Sequence, residues 1–482
     1  MRIVLIALDG LRPDMVSPEA TPTLAALAGQ GARFANARSV FPSETRVATP
    51  SLVTGCRPGG HGMVANTLFD ASVAPDRLLR TKLVEDVMAL AQGRESPLQR
   101  PTLAEHLARA GRSFALVSAG TAGAARLLHP AAERLGMFRW NVEELDGPAA
   151  PAMAMRFGPT PPHAVPNIPR LRHTARILLE HVLPELRPDV TLVWLSEPDV
   201  SFHWGGLLAP HAREALHAAD AIIGQVMAWR DAQPDAAEIV LGVLSDHGHV
   251  TGRGRLSLEA ELRRAGFRAG TGLSAETDVV VAPAAAPGLW FRNPELAPQV
   301  AECLGAQPWC GALLARDPAI LRDGEALPLS LLGSGHARSA DLVVTFAGSE
   351  DADEWGLPGH APFDAPDVPE GGGMHGGLHR AELATVLVLQ GGPVRPGTVV
   401  QSPCDLTDIA PTILALLGLG WPGMEGEPIQ AAWDPAADSM PRRRMLPLSR
   451  RFVLEVMHPA EGGRLYPTGL RYTCPPAALM LL

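Results

Sequence analysis

Residues 239–249, IVLGVLSDHGH, place a strongly apolar run directly before an aspartate and a histidine. A run of this kind is typical of a strand that is buried on both faces of a parallel sheet. Similar runs begin at Ile3 and Val190, and they lead into polar segments that contain Asp9 and Asp199. Because the carboxyl ends of parallel strands meet at one edge of a sheet, we expect these polar residues to converge there.

Apolar runs alternate with helical patterns along the chain. This predicts an α/β fold, namely an α/β/α sandwich with a mostly parallel central sheet. The predicted strands are Ile3 to Leu8, Ser113 to Ser118, Val190 to Leu195, Glu238 to Leu244, Asp341 to Phe346 and Thr385 to Leu389. The predicted helices are Thr21 to Gly29, Thr102 to Ala110, Ile168 to Leu186, Pro210 to Ala232 and Asp405 to Leu417.

The pattern changes in the second half of the chain. Residues 252–339 combine short predicted strands with one helical stretch, which predicts a small α+β cap inserted into the core. The core would then comprise residues 1–251 and 340–434. Residues 435–482 form a C-terminal tail to which the sequence assigns no role.

The composition of the chain argues against several classes of protein. The 482-residue chain has a formal net charge of -10 and no long basic run, which argues against a nucleic-acid polymer as its partner. Its five cysteines include no C-x-x-C pair, which argues against a disulfide framework. No stretch reaches the roughly 18 apolar residues that span a bilayer, and the apolar start is too short for a signal peptide. We therefore expect a cytoplasmic protein without a membrane partner.

Three carboxylates and three imidazoles are candidate metal ligands. They are Asp9, Asp199, His203, Asp246, His247 and His375. Taken singly, each of their segments also fits a turn, a helix cap or an exposed loop, so the argument depends on their combination. Mixed oxygen and nitrogen ligands favour zinc, with manganese or iron as alternatives. Two such ions can hold the attacking and the leaving oxygen of a phosphoryl transfer.

A candidate nucleophile lies in residues 41–66, FPSETRVATPSLVTGCRPGGHGMVAN. This segment resembles the nucleotide pyrophosphatase/phosphodiesterase and phosphonoacetate hydrolase branch of the alkaline phosphatase superfamily. That branch has Phe-Pro-x-x-Thr, Val-Thr-Gly, Pro, His-Gly and Asn in this order. The candidate ligand segments follow in the family's order as well, and the resemblance extends over roughly residues 1–428.

The resemblance implies an alkaline phosphatase-like core and a two-metal hydrolase of phosphoesters that acts through a covalent phosphothreonine at Thr45. It also implies that Asn66 donates a hydrogen bond to a non-bridging oxygen. The implied ligands of one ion are Asp199, His203 and His375. Those of the other ion are Asp9, Asp246, His247 and the oxygen of Thr45. The sequence leaves three other histidines open as replacements for His375, namely His336, His360 and His379.

Two positions depart from the nucleotide pyrophosphatase pattern. Arg46 stands where that family has an aromatic residue, and it is either a surface side chain or a contact for a second anionic group of the substrate. Trp194 falls where the family has its other stacking aromatic, and it is either a substrate contact or a core residue. Residues 118–123 lack the lysines of phosphonoacetate hydrolases. Residues 56–60, CRPGG, have glycine where the sulfatase motif C-x-P-x-R requires arginine.

The leading hypothesis is a phosphodiesterase or nucleotide pyrophosphatase that acts on a small-molecule phosphoester. The alternative is a phosphonate or phosphate-monoester hydrolase in which Arg46 recognises the additional charge. A third hypothesis is a binding protein on this fold that has lost catalysis. The sequence leaves the oligomeric state open.

Overall fold

The computed structural model describes residues 1–322, 326–447, 451–459 and 463–472. Its centre is an eight-stranded sheet. The strands are β1 (Arg2–Leu8), β2 (Ala32–Phe34), β3 (Phe114–Ser118), β4 (Phe138–Asn141), β5 (Val190–Leu195), β6 (Ile239–Leu244), β7 (Leu387–Gln390) and β8 (Thr398–Val400). Their order across the sheet is β8-β2-β7-β6-β1-β5-β3-β4, and pairing is parallel except where β7 meets β2 and β6. The predicted α/β fold with a mostly parallel sheet is confirmed.

Strand β1 occupies the middle of this sheet, between β5 and β6. Every residue of β5 and β6 is buried, as is every residue of β1 except Arg2, which explains their continuous apolar sequences. Alternate side chains of β1 pack on opposite faces: Ile3 and Leu5 join one apolar cluster, whereas Val4 and Ile6 join another. The three strands run in the same direction, so the segments that follow them leave from one sheet edge.

Helices cover both faces of the sheet. They include α1 (Pro22–Gln30), α2 (Thr45–Thr54), α3 (Leu103–Arg109), α4 (Ala122–Leu128), α5 (Ile168–Ile177), α6 (Asp199–Gly205), α7 (Pro210–Asp231) and α8 (Ile409–Leu416). Helices α2, α3, α4 and α8 contribute to one apolar cluster, and α1, α5, α6 and α7 contribute to the other. The predicted helix to Leu186 continues beyond α5 as the π-helix Leu178–Leu186.

A second sheet of six strands lies between residues 269 and 346. In spatial order its strands are Ala269–Gly270, Val279–Ala282, Gly288–Phe291, Leu342–Phe346, Cys310–Ala315 and Leu327–Pro328. The predicted strand Asp341 to Phe346 is present as Leu342–Phe346, but it lies in this second sheet and not in the central one, because it pairs with Gly288–Phe291 and Cys310–Ala315. The division into a core of residues 1–251 and 340–434, an inserted cap of residues 252–339 and a tail stays a hypothesis.

The tail contains a third sheet, formed by the antiparallel strands Arg442–Pro447, Phe452–His458 and Tyr466–Tyr472. The loop before the last strand carries Arg464, whose Nη2 lies 2.8 and 2.7 Å from the two carboxylate oxygens of Asp405. Asp405 is buried just before α8, so this ion pair fixes the tail to the core. Within the described ranges, no helix combines the length and the apolar character needed to cross a membrane.

We expect Arg464→Ala to lower the free energy of unfolding by about 2 kcal/mol, because it removes the two-point partner of buried Asp405, while Arg57 Nη2 stays 3.3 Å from Asp405 Oδ2. The midpoint of urea unfolding measures this change. Arg444→Ala is the control: Arg444 is exposed in the same three-stranded sheet, and its loss should cost at most about 0.5 kcal/mol. Equal midpoints for the two variants would contradict a stabilising role of the ion pair.

Candidate active site

The candidate ligands follow three neighbouring strands at the carboxyl edge of the central sheet. Asp9 comes directly after β1, and Asp246 and His247 come just after β6. Asp199 is the first residue of α6, which follows β5. Helix α6 places His203 one turn beyond Asp199, so that Asp199 Oδ1 and His203 Nε2 are 3.3 Å apart. The four-residue spacing seen in the sequence therefore brings a carboxylate and an imidazole to one point.

Asp199 Oδ1 is the centre of what we call the first cluster. It lies 3.3 Å from His203 Nε2, 3.1 Å from His249 Nε2 and 3.4 Å from His375 Nε2. Zinc bonds of about 2.0–2.1 Å in tetrahedral geometry separate neighbouring ligand atoms by about 3.3–3.4 Å, close to these distances. The first cluster contains the three residues implied for one ion, together with His249, which the sequence analysis left unassigned.

His247 Nε2 is the centre of the second cluster. It lies 3.4 Å from Asp9 Oδ1, 3.3 Å from Asp246 Oδ2 and 3.2 Å from Thr45 Oγ1. Thr45 Oγ1 is in turn 3.4 Å from Asp9 Oδ1. The structure thus brings together the four residues implied for the other ion. The two clusters adjoin, since the rings of His247 and His375 stack with their centroids 3.7 Å apart.

All four imidazoles in the clusters are anchored through Nδ1 to a backbone carbonyl oxygen. The pairs are His203 with Gly373 (2.7 Å), His249 with Gly10 (2.9 Å), His375 with Ser43 (2.9 Å) and His247 with Gly248 (3.1 Å). Because a carbonyl oxygen only accepts, Nδ1 carries the proton, and the neutral ring keeps a lone pair on Nε2. Lone pairs that converge on carboxylate oxygens in this way are typical of metal ligands.

Two carboxylates of the site, Asp9 and Asp246, lack a balancing charge, whereas His203 holds the pKa of Asp199 well below its usual range against the effect of burial. Burial raises the pKa of Asp9, and repulsion from Asp246 and Asp199 raises it further. Burial also raises the pKa of Asp246 to about 7. Asp246 Oδ2 is buried without a hydrogen-bond partner among the described residues, which is costly for a carboxylate oxygen. A divalent cation would supply both the missing charge and the missing partner.

The protonation states of His247 and His375 also suit the binding of a divalent cation. Burial lowers the pKa of His247 to about 3 and lowers that of His375 well below its usual range. These rings are therefore neutral at pH 7, the form that binds a metal ion. Against the effect of burial, the charge of Asp199 raises the pKa of His203, so a metal ion bound there would replace a proton. Donor type and spacing fit divalent ions in both clusters.

Thr45 is the first residue of α2, where free backbone N–H groups attract anions. Other hydroxyl groups of the segment are directed elsewhere. Ser51 Oγ donates to the carbonyl of Val47 at 3.0 Å, and Thr54 Oγ1 donates to that of Pro50 at 2.7 Å. Among these hydroxyls it is Thr45 that reaches a cluster, which agrees with its interpretation as the nucleophile.

Asn66 is held against the start of α2. Its Oδ1 accepts the backbone N–H of Arg46 at 3.0 Å, and its own backbone N–H donates to the carboxylate of Glu44. With Oδ1 engaged, the Nδ2 donors of the amide remain for a substrate oxygen. The sequence analysis missed Glu44, for which the available signal was its position directly before the candidate nucleophile.

Arg46 is half-buried beside the nucleophile. Its Nε donates to the hydroxyl of Thr81 at 3.3 Å, and no carboxylate of the described residues lies within ion-pairing distance of its guanidinium. Its positive charge nevertheless lowers the pKa of Asp9, which places it in the electrostatic field of the site. Arg46 is thus available to an anionic ligand.

Of the two interpretations considered for Trp194, a substrate contact and a core residue, the structure agrees with the second. Its side chain is 0% exposed within β5, and its indole N–H donates to Asp9 Oδ2 at 3.0 Å. The interpretation of Trp194 as a stacking surface for the substrate is wrong, because the whole ring lies in the core. Trp194 instead orients a candidate metal ligand.

The three histidines considered as replacements for His375 lie outside both clusters. His379 Nδ1 accepts from the Ala381 backbone N–H at the start of a short helix, and His336 Nδ1 accepts from that of Arg338. His360 lies in the strand Pro358–Phe363, away from either group. His375 therefore keeps its predicted place.

The chain matches a known protein family. The profile of the family described as type I phosphodiesterase/nucleotide pyrophosphatase matches residues 3–376, well over half of the chain. The chain belongs to this family. The predicted resemblance and enzyme class are thereby confirmed: the chain is a metal-dependent phosphoester hydrolase of the phosphodiesterase/pyrophosphatase type.

Two solved structures of murine ectonucleotide pyrophosphatase/phosphodiesterase 5 share the fold of this phosphodiesterase family member. One matches with a TM-score of 0.62 and 16% identity, covering 89% of this chain and 98% of that chain. The other, an inactive variant in complex with AMP, has the same TM-score of 0.62 and identity of 16%, and covers 90% of this chain and 100% of that chain. No curated protein matches the chain.

In metal-free phosphodiesterase, we expect Asp246→Asn to raise the thermal unfolding midpoint at pH 8 by about 2–5 °C. The pKa of Asp246 is raised to about 7 in the folded protein, so its ionisation above that pH destabilises the fold. The gain is fully present above about pH 7. It should shrink as the pH falls from 7 towards the ordinary carboxyl pKa of 3.8, because in that range the folded wild type is protonated while the unfolded chain is ionised.

With zinc or manganese added, wild type should have the higher unfolding midpoint, because Asp246→Asn lacks a metal ligand. Unfolding scans at pH 6 and pH 8, with chelator or with metal, measure both effects. An equal loss of stability with chelator and with metal would make Asp246 a purely structural residue.

Proposed function

We propose that the protein hydrolyses phosphodiester or pyrophosphate bonds of small molecules through a phosphothreonine intermediate at Thr45. The observation that carries this proposal is the position of Thr45 Oγ1. It lies within the second cluster, 3.2 Å from His247 Nε2, and at the N-terminus of α2. A hydroxyl group in this setting is the one best placed to attack phosphorus.

We propose one divalent ion at each cluster. The ligands of the first would include Asp199, His203 and His375, and those of the second would be Asp9, Asp246, His247 and Thr45. The mixed oxygen and nitrogen donors favour zinc, with manganese or iron as alternatives. When bound, such ions supply positive charge that lowers the pKa of a hydroxyl group and balances the charge of phosphoryl oxygens.

The residues of the chain would then act in two steps. Thr45 Oγ1 bonds to phosphorus, in line with the leaving oxygen, while the bond to that oxygen breaks and the hydroxyl proton is lost. Asn66 Nδ2 and the first N–H groups of α2 donate to the phosphoryl oxygens as their charge builds. A water oxygen then bonds to phosphorus while the bond to Thr45 Oγ1 breaks and the hydroxyl takes up a proton. From a diester this releases a phosphate monoester, because the phosphoryl group on Thr45 keeps the second ester group of the substrate.

Arg46 supports a second candidate activity, the hydrolysis of a phosphate monoester or a phosphonate. A monoester carries one more negative charge than a diester, and the guanidinium beside Thr45 has no carboxylate partner among the described residues. The burial of Trp194 removes one of the aromatic surfaces that a nucleotide base would use. Neither candidate activity involves a nucleic-acid polymer or a membrane, and a cytoplasmic location remains an expectation from the sequence.

Thr45→Ala should lower turnover by roughly 10³-fold or more, because it removes the nucleophile. Asn66→Ala should lower it by roughly 10²–10³-fold, the usual effect of losing one donor to a developing oxyanion. Acid-quenched wild-type protein should carry one phosphoryl group on a peptide containing Thr45, detected by mass spectrometry. With a diester substrate, the mass increment should include the ester group that stays on phosphorus.

Thr49→Ala is the matched control for the nucleophile. Thr49 lies one turn further along α2, and its hydroxyl has no partner among the described residues. The control should keep both turnover and the phosphoryl adduct. Near-wild-type turnover of Thr45→Ala on every phosphoester tried would refute the nucleophile assignment.

Arg46→Ala distinguishes the two candidate activities. With monoesters and diesters of one phenol, a diesterase should prefer the diester, and the variant should affect both esters alike. If Arg46 recognises the additional charge, the variant should lose about 10–100-fold in kcat/KM on the monoester alone, and Arg46→Lys should recover part of it. A wild-type preference for monoesters would refute the leading proposal.

A further inference from the structure

His249 belongs to the first cluster, yet the ligand set implied by the family resemblance leaves it without a role. It lies in the connection between β6 and the strand Val250–Arg255, and its side chain is 0% exposed. Its Nε2 is 3.1 Å from Asp199 Oδ1, closer than the Nε2 of His203 or His375. A histidine buried at the centre of a ligand cluster calls for an explanation of its own.

Two glycines leave the space that the imidazole ring of His249 occupies. A Cβ on Gly10 would lie 2.2 Å from His249 Cε1, and a Cβ on Gly373 would lie 3.0 Å from its Cδ2. Gly10 also has a φ of +74°, which side chains of L-residues rarely adopt. Phe202 packs edge-on against the ring, with the centroids 5.2 Å apart. The imidazole therefore has one orientation, in which Nε2 faces the first cluster.

The contact between His249 and Asp199 is not a hydrogen bond of a neutral ring. Nδ1–H donates to the Gly10 carbonyl at 2.9 Å, so Nε2 presents a lone pair to Asp199 Oδ1. His249 Nε2 and Asp199 Oδ1 are 3.1 Å apart, and their lone pairs repel each other unless a cation or a proton lies between the two atoms. His203 and His375 face the same oxygen in the same manner. One cation at the centre explains all three contacts.

We propose that His249 is a fourth protein ligand of the ion in the first cluster, beside Asp199, His203 and His375. This inference rests on the two-ion proposal. One carboxylate and three imidazoles complete a tetrahedral zinc shell, so a substrate oxygen could enter this site only as a fifth ligand. The second cluster, which contains Thr45, is then the more open of the two. A chelator should remove the ion of the second cluster first.

The test compares His249→Gln and His249→Ala with His211→Gln. A glutamine amide can donate to Asp199 but is a weak zinc ligand, so it replaces a hydrogen bond and not a metal bond. His211 is a matched control: its Nε2 contacts the Ser201 carbonyl at 3.1 Å, and its ring packs against α6 outside both clusters. The readouts are zinc released per chain over time into excess chelator and the visible absorption of the cobalt-substituted protein.

Wild type and His211→Gln should bind two ions per chain, one of them released slowly. Both His249 variants should lose the slow phase, with an affinity loss at this site greater than the roughly 10–100-fold typical of residues behind a ligand. They should also lose the intense absorption of four-coordinate cobalt. If His249→Ala does not fold, as judged by circular dichroism, His249→Gln alone decides the question.

Two results would overturn the inference. Wild-type release and absorption in His249→Gln would show that His249 acts only as a hydrogen-bond partner of Asp199. That result would overturn this inference alone. A wild-type protein that binds no ion would overturn this inference together with the two-ion proposal.

Discussion

Repulsion between three carboxylates is the constraint on which the rest of the site depends. Strand β1 pairs in parallel with β5 and β6 along nearly its whole length, so Asp9, Asp199 and Asp246 cannot move apart. Of the three, only Asp199 is balanced by an imidazole, that of His203, whereas burial and repulsion keep the pKa values of Asp9 and Asp246 raised. The core sheet thus holds negative charge that a bound cation relieves, and metal binding and folding stability are linked through the same atoms.

Backbone hydrogen bonds, more than side-chain packing, determine where the late histidine lies. His375 Nδ1 donates to the Ser43 carbonyl, and the Gly376 N–H donates to the Ser43 hydroxyl at 3.1 Å. The Gly373 carbonyl accepts from His203 on α6. One glycine-rich segment therefore contacts the nucleophile segment, 332 residues earlier in the sequence, and α6, 170 residues earlier. This couples the position of Thr45 to the geometry of the first cluster.

The parts of the molecule that the sequence predicts are those with local causes. Strands β1, β5 and β6 are continuous apolar runs that end near aspartates, a pattern with few alternatives. Leu342–Phe346 has the same pattern but joins the second sheet, because sheet membership depends on partners distant in sequence. His249 was missed for a similar reason: its place in the first cluster depends on the absence of side chains at Gly10 and Gly373, which no local pattern reveals.

Trp194, which was considered as a substrate contact, instead orients a candidate metal ligand from within the core. Its indole N–H occupies Oδ2 of Asp9, so Oδ1 is the oxygen left to face Thr45 and His247. A carboxylate free to rotate could offer either oxygen, whereas this one presents a single oxygen at a fixed distance. Strand β5 thereby sets the geometry around the candidate nucleophile. Asn66 accepts the backbone N–H of Arg46 directly beside Thr45, and these two residues remain the candidates for substrate recognition.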